Sequence, residues 1–311
     1  MRDALEGCVA LARQAEELGY ERIWYAEHHN MKTIASSATS VLIAHVAANT
    51  RSIRLGSGGI MLPNHSPLTI AEQFATLETL HPGRIDLGLG RAPGTDQVTV
   101  RALRRDPRAS DDFPNDVREL QGFLGDESKV PGVTATPGHG TNVPLYILGS
   151  SLFGAQLAAQ FGLPYAFASH FAPQALEPAV RIYRERFEPS VQLDRPYVIA
   201  GLNVIAADTE DEAREHLLAT RRSRVRLLFG RGGRRFSDQE ADQVLASPQG
   251  FAVDDMLTYS AVGTPDQVKD QLDRFVEMAD ADEVMTNHQG SSFTARLRSV
   301  ELLAKSAIDR S

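Results

Sequence analysis

Along the first 20 residues, Leu5, Cys8, Val9, Ala12, Ala15 and Leu18 recur at helical spacing, and Gly19 follows where a left-handed cap is wanted. The pattern predicts a helix to Leu18, then a strand over residues 21–26, and the alternation repeats. Further strands are expected at 53–57, 85–89, 144–148, 165–168, 197–206 and 283–286. Helices are expected between them. Ser36 or Ser37 caps one containing Val41, Leu42 and Val46; Ser66 and Pro67 open one that reaches Leu80; others span 111–124, 173–187 and 293–304. Ser151 caps a helix ending at Phe161, Asp208 or Thr209 caps another, and Thr264-Pro-Asp-Gln267 is a capping box. Residues 230–250, beginning Gly230-Arg-Gly-Gly-Arg-Arg235, read as a mobile insertion.

Seven strands alternating with helices are one short of a closed parallel barrel, and the chain begins on a helix. The expectation is one domain over residues 1–311, a TIM-type (β/α)8 barrel lacking its first strand, because the native start lies upstream or the chain is truncated. An open doubly wound sheet is the structural alternative.

Composition narrows the partners. Of 311 residues, 42% are hydrophobic and 23% charged, which is ordinary for a soluble globular chain. The net charge of -8 comes without a basic cluster, which argues against nucleic acid or an anionic membrane and for small-molecule ligands. Cys8 is the only cysteine, so no disulfide is expected. No signal peptide is visible and no apolar run approaches the roughly 20 residues of a membrane span, so a cytoplasmic location is expected.

Candidate chemistry sits at predicted strand ends, where parallel α/β folds collect ligands. The run Ile23-Trp-Tyr-Ala-Glu-His-His29 breaks from apolar residues into a carboxylate and two imidazoles. In an extended segment adjacent histidines point to opposite faces, so His28 and His29 do not readily chelate one ion. Catalytic and purely structural readings of Glu27, His28 and His29 both stay open. Gly56-Ser-Gly-Gly59 implies backbone in close approach to something, as a flat ligand would require, or a tight turn. Arg91, in Gly88-Leu-Gly-Arg91, could hold a phosphate. Ser150 and Ser151 precede a helix whose first N–H groups favour the same anion, though a plain serine cap explains Ser151 equally well. His170 carries no assigned role, and Arg221, Arg222, Arg224 and Arg226 read as a solvated helix face.

Trp24-Tyr-Ala-Glu-His-His29, Leu55-Gly-Ser-Gly-Gly-Ile-Met-Leu-Pro63, His81-Pro-Gly-Arg84, Gly88-Leu-Gly-Arg91 and Leu148-Gly-Ser-Ser-Leu-Phe-Gly154 occur in order along nearly the whole chain. Together they resemble the bacterial luciferase-like flavin monooxygenase family. The resemblance implies an eight-stranded barrel that binds reduced FMN at its carboxyl end, uses O2 through a flavin peroxide, and oxidises an organic substrate. It matches His28 to the family's active-site histidine, with Glu27 orienting neighbouring groups. Gly58 and Gly59 match a non-proline cis peptide under the flavin ring, and Arg91, Ser150 and Ser151 match the phosphate region. Gly90 departs from the reactive cysteine that light-emitting members carry there, so light emission is not implied. No Gly-x-Gly-x-x-Gly fingerprint follows a strand, so a separate flavin reductase is expected to supply FMN. Relatives that use F420 for hydride transfer, a non-catalytic flavin-binding protein and a metal-dependent barrel hydrolase are the alternatives. Family members pair as homodimers through helices that correspond here to residues 37–48 and 67–80.

Overall fold

The structure, a computed structural model, describes residues 1–31, 34–92, 94–106, 108–230 and 235–308. In chain order the elements are α1 (Arg2–Leu18), β1 (Arg22–Tyr25), α2 (Thr39–Ala47), β2 (Arg54–Met61), α3 (Pro67–Leu80), β3 (Ile85–Gly90), α4 (Gln97–Ala102) and α5 (Phe113–Leu124). Then follow β4 (Leu145–Gly149), α6 (Leu152–Phe161), β5 (Tyr165–Phe167), α7 (Leu176–Glu185), β6 (Val198–Ala206) and α8 (Glu210–Phe229). The last are α9 (Asp238–Leu245), α10 (Gly250–Met256), β7 (Ser260–Gly263), α11 (Pro265–Ala279), β8 (Glu283–His288) and α12 (Phe293–Ala307). Among the described residues no helix is long and apolar enough to cross a membrane.

Chain contacts divide the protein into two compact units. The first comprises residues 1–149, 153–165 and 183–196. In it β1, β2, β3 and β4 pair in parallel and in sequence order, with Tyr25 opposite Ser57, Leu55 opposite Ile85 and Gly90 opposite Leu148. Helices cover the sheet because their apolar stripes need it: Ile43, Ile70, Phe74 and Phe113 are fully buried against a strand core of Leu55, Ile85, Leu87 and Leu89. Gly19 ends α1 at φ 86, as expected. Glu16, near the end of α1, accepts the backbone N–H groups of Arg51, Ser52 and Ile53 at 2.8, 2.6 and 2.9 Å, which fixes the entry to β2. Desolvation opposes ionisation there, but those N–H groups hold the carboxyl down to about 2.

One buried charge organises the interior of this unit. Asp86, on β3, has no exposure; it accepts from Arg22 at 2.7 Å, from Trp24 Nε1 at 3.0 Å and from Arg54 through both Nε and Nη2. Arg22 also donates to Tyr146 Oη at 3.1 Å, and Trp24 meets the Tyr146 ring edge-on at 5.0 Å. Alternation along β1 puts Arg22 and Trp24 on one face, so β1 contributes two groups, and β2, β3 and β4 one each, to a single network.

The second unit comprises residues 150–152, 166–182 and 197–311. β6 is buried along its whole length and pairs in parallel with β8 over Ile199–Val204 and with β7 over Asn203–Ala206. β7 is the strand that the hydrophobic pattern misses. Ser260, Ala261, Val262 and Gly263 are too short and too small to register as an apolar run. It extends the far end of β6 and does not replace a strand beside β1, whose strand partner among the described residues is β2.

The predicted insertion is more ordered than expected. Its residues 231–234 lie outside the described residues, but Ser237 and Glu240 form a capping box that opens α9, and α10 follows. α8, α9 and α10 share an apolar cluster of Val225, Phe236, Ala241, Val253 and Leu257. Thr209 caps α8 and the Thr264–Gln267 box caps α11 as predicted, whereas α2 starts at Thr39 without a side-chain cap from Ser36 or Ser37.

Replacing Asp86 by Ala would remove the buried carboxylate that Arg22 and Arg54 share, so urea denaturation is expected to show a loss of about 3–5 kcal/mol. A loss within experimental error would show that the network contributes nothing to folding.

Candidate functional site

The segment following β1 carries Glu27, His28 and His29, and the structure separates them. Glu27 is 1% exposed. Its carboxylate accepts from His29 Nε2 at 2.8 Å, from His65 Nε2 at 2.9 and 3.0 Å, and from the Met61 N–H at 3.0 Å. Burial alone would raise its pKa. The hydrogen bond and charge from His65, then the bonds from His29 and Met61, outweigh it and hold the carboxyl below its ordinary value. One carboxylate therefore ties the end of β1 to the end of β2 and to the turn that follows. Arg105 secures that turn from the other side, donating to Pro63 O at 3.0 Å and His65 O at 2.7 Å.

His28 takes no part in this cluster. Its backbone N–H donates to Ser36 O at 3.1 Å, and its Nδ1 lies 3.4 Å from Gly94 O. A carbonyl partner requires the proton on Nδ1, which leaves Nε2 as the ring's acceptor. Glu27 thus acts on His28 through the backbone between them and not by touching it. The ligand atoms of Glu27, His29 and His65 lie within 4.8 Å of one another and could hold a metal ion. Their separations of 2.8–3.0 Å are those of direct hydrogen bonds, which satisfy the carboxylate without one.

The glycine run on β2 faces protein on several sides. The Gly58–Gly59 peptide is cis, and the register between β2 and β3 shifts between Ser57 and Ile60. A Cβ on Gly58 would lie 3.0 Å from Trp24 Cβ, and one on Gly59 would lie 2.8 Å from Gly88 O. A Cβ on Gly88 would collide with Ser57 O, so these glycines let β1, β2 and β3 approach closely around Trp24. Gly90 faces a side chain instead of backbone. A Cβ there would lie 2.8 Å from Met61 Sδ, so the thioether fills the space that a cysteine side chain would need.

Arg91 leaves β3 at Gly90, whose register partner on β4 is Leu148. Its guanidinium stacks over the Phe153 ring at 4.1 Å and has no carboxylate partner among the described residues. Ser150 and Ser151 follow β4 directly and precede α6, as predicted. A guanidinium without a counter-charge at a strand's carboxyl end fits a phosphate by donor chemistry.

A model of the luciferase-like monooxygenase family matches residues 2–282. The chain belongs to that family. A luciferase-like monooxygenase of Escherichia coli (strain K12) is 50% identical over 303 residues, covering 97% of this chain and 90% of that protein. The N-acetyl-S-alkylcysteine monooxygenase of Bacillus subtilis (strain 168) is 34% identical over 280 residues, covering 88% and 83%. The solved structure of apo-MsnO8 superposes with a TM-score of 0.88 at 36% identity, covering 98% of this chain and 93% of that one. Two more distant structures share the fold alone. They are the oxygenating constituent of 3,6-diketocamphane monooxygenase from Pseudomonas putida in complex with FMN (TM-score 0.73, 17% identity, covering 98% and 92%) and an F420-dependent tetrahydromethanopterin reductase from Methanopyrus kandleri (0.70, 19%, covering 96% and 94%). The family's barrel is therefore the fold class of this chain, with its parallel strands and covering helices.

The hydrophobic pattern missed two parts of this site. His65 lies two residues past Pro63 and carried no role, because nothing local shows that a turn returns it to Glu27. Met61 read as one more apolar residue.

The folded-state pKa of Glu27 is depressed, so its stabilisation is present above the unfolded value and lost as pH falls through the folded one. Glu27→Gln is expected to be less stable than the parent at pH 7, with the difference narrowing below about pH 4.3. Denaturation midpoints at pH 7 and at successively lower pH check this; a gap that is constant with pH would sink it.

Proposed function

We propose that the protein is a monooxygenase that binds reduced FMN, received from a separate reductase, and uses O2 to oxidise a small organic substrate. Membership of the family and relatives named as monooxygenases support the reaction class. The observation that carries the cofactor reading is Arg91, an arginine with no carboxylate partner among the described residues, next to a strand end that leads into Ser150 and Ser151. In this reading those three residues hold the FMN phosphate and Gly58 and Gly59 lie along the ring system. Reduced FMN, when bound, supplies the two electrons that O2 activation requires.

The protein's own part is positioning, shielding and proton handling. His28 holds its proton on Nδ1 against Gly94 O and presents Nε2 to accept one from, or return one to, the reacting groups. Glu27 holds the His28 segment still by binding His29, His65 and Met61 N–H. Gly90 stands where light-emitting members carry a cysteine, so light emission is not part of this reading. F420 offers the same phosphate and flat ring to the same residues, and its use by a protein of the same fold makes it the second reading. The homodimer would use α2 and α3, each of which leaves a large apolar side chain in solvent, Val41 and Leu80.

Anaerobic protein with reduced FMN, mixed with oxygenated buffer, is expected to reoxidise the flavin more slowly than free solution does. Reoxidation at the free rate, together with tight F420 binding, would overturn the FMN reading. His28→Ala is expected to bind FMN normally and to slow product formation about 100-fold; equal turnover would remove His28 from the chemistry. Arg91→Gln is expected to weaken FMN binding about tenfold or more while leaving riboflavin binding unchanged, as fluorescence titration would read.

A further inference from the structure

The two buried carboxylates of the first unit are satisfied differently. Asp86 is paired with the guanidinium groups of Arg22 and Arg54, whereas no lysine or arginine approaches the Glu27 carboxylate among the described residues; its partners there are the imidazoles of His29 and His65. An ionised carboxylate taken out of water is stabilised by any group that brings positive charge to it, so the question is what else the Glu27 cluster accepts.

Its donors are arranged around one oxygen. Met61 N–H holds Oε2 at 3.0 Å, while His29 Nε2 and His65 Nε2 both approach Oε1, at 2.8 and 2.9 Å. Asn64 Nδ2 donates to the same Oε1 at 3.4 Å, and His65 Nε2 also lies 3.0 Å from Oε2. The carboxylate oxygen and the two ring nitrogens all lie within 4.8 Å of one another. Two imidazole nitrogens and one carboxylate oxygen are the donor set of three-ligand zinc centres, whose bonds of about 2.0–2.2 Å set neighbouring ligand atoms roughly 3.3–3.5 Å apart. Opening each hydrogen-bonded pair by about half an ångström reaches that spacing. Groups outside the set already position the ligands: Met61 N–H fixes the carboxylate, and Arg105 fixes the turn through Pro63 O and His65 O, as the outer partners of metal ligands do. The carboxylate is buried, but the His29 and His65 side chains are 19% and 28% exposed, which gives an ion from solvent a way in.

We propose that Glu27 Oε1, His29 Nε2 and His65 Nε2 form a site for one divalent first-row ion of the zinc class, with water in its fourth position. Each neutral imidazole moves the Nε2 proton it donates to the carboxylate round to Nδ1 through solvent, and its Nε2 lone pair then faces the ion. The ion's charge replaces those two hydrogen bonds in offsetting the buried carboxylate. Two nitrogen donors out of three favour zinc over magnesium and calcium, which take oxygen. His28, whose Nδ1 lies against Gly94 O, is not a ligand, and the site depends on neither the monooxygenase nor the FMN reading.

Calorimetric titration of the purified, untagged full chain with zinc chloride, without flavin or turnover, is expected to show one ion per chain, held roughly 100-fold or more tightly than magnesium or calcium. His29→Gln and His65→Gln, whose amides keep a donor for the carboxylate but are poor zinc ligands, should each weaken zinc about 100-fold. His216→Gln should leave it unchanged; that residue lies 3.6 Å from Glu212 and is another histidine beside a carboxylate. On the parent chain, zinc should protect His29 and His65 from carbethoxylation by diethyl pyrocarbonate, read by peptide mass spectrometry, and should leave the exposed His45 and His139 reactive. Zinc held no more tightly than magnesium, affinity unchanged in both His29→Gln and His65→Gln, or protection of His216 in place of His29 and His65 would overturn the proposal. The protection experiment needs no variant, so it decides the matter even if the glutamine variants fail to fold.

Discussion

The carboxylate of Glu27 is a negative charge with almost no access to water, and the geometry of the candidate site follows from how that charge is satisfied. Four donors converge on it: a histidine two residues on, the backbone at the end of β2, and an asparagine and a histidine in the following turn. Each donor is worth more in a buried setting than at the surface, and none can leave without exposing the cost of the buried charge. The short path from Ala26 to His29 is thereby held against β2, and His28 stays out of the cluster with its Nδ1 against Gly94 O.

Two buried carboxylates divide the labour in the first unit. Asp86 locks the interior of β1 to β4 through Arg22, Trp24 and Arg54, while Glu27 locks the strand ends. Between them lies a band of glycines where the strands come too close for side chains, with Trp24 filling the space that remains. The substitution of glycine at position 90 follows the same logic, since Met61 already occupies the adjoining space.

Charge pairing gives the second unit its most informative contrast. Along α8 the paired arginines stabilise the packing of α9 and α10, whereas Arg224 has no carboxylate partner among the described residues. A run of arginines on an amphipathic helix reads as a solvated face until the acidic partners are located in space, and those partners lie 12 to 33 residues away for Arg221, Arg222 and Arg226.

Local sequence determined most of the element order, because helical and strand periodicities, Gly19 as a left-handed cap and the Thr264–Gln267 box are properties of short segments. The strand ends before Glu27, Arg91 and Ser150 followed from the same patterns and from family resemblance, whereas β2 runs on through Gly59 to Met61. Tertiary structure alone decided which of these groups meet. Glu27 turned out to bind His29 and His65 and not His28, β7 joined β6 despite lacking an apolar run, and the β2 glycines proved to make room for neighbouring strands. The reason is that periodicity reports which face of an element is buried, whereas the partner of a buried charge is set by long-range packing between segments tens of residues apart.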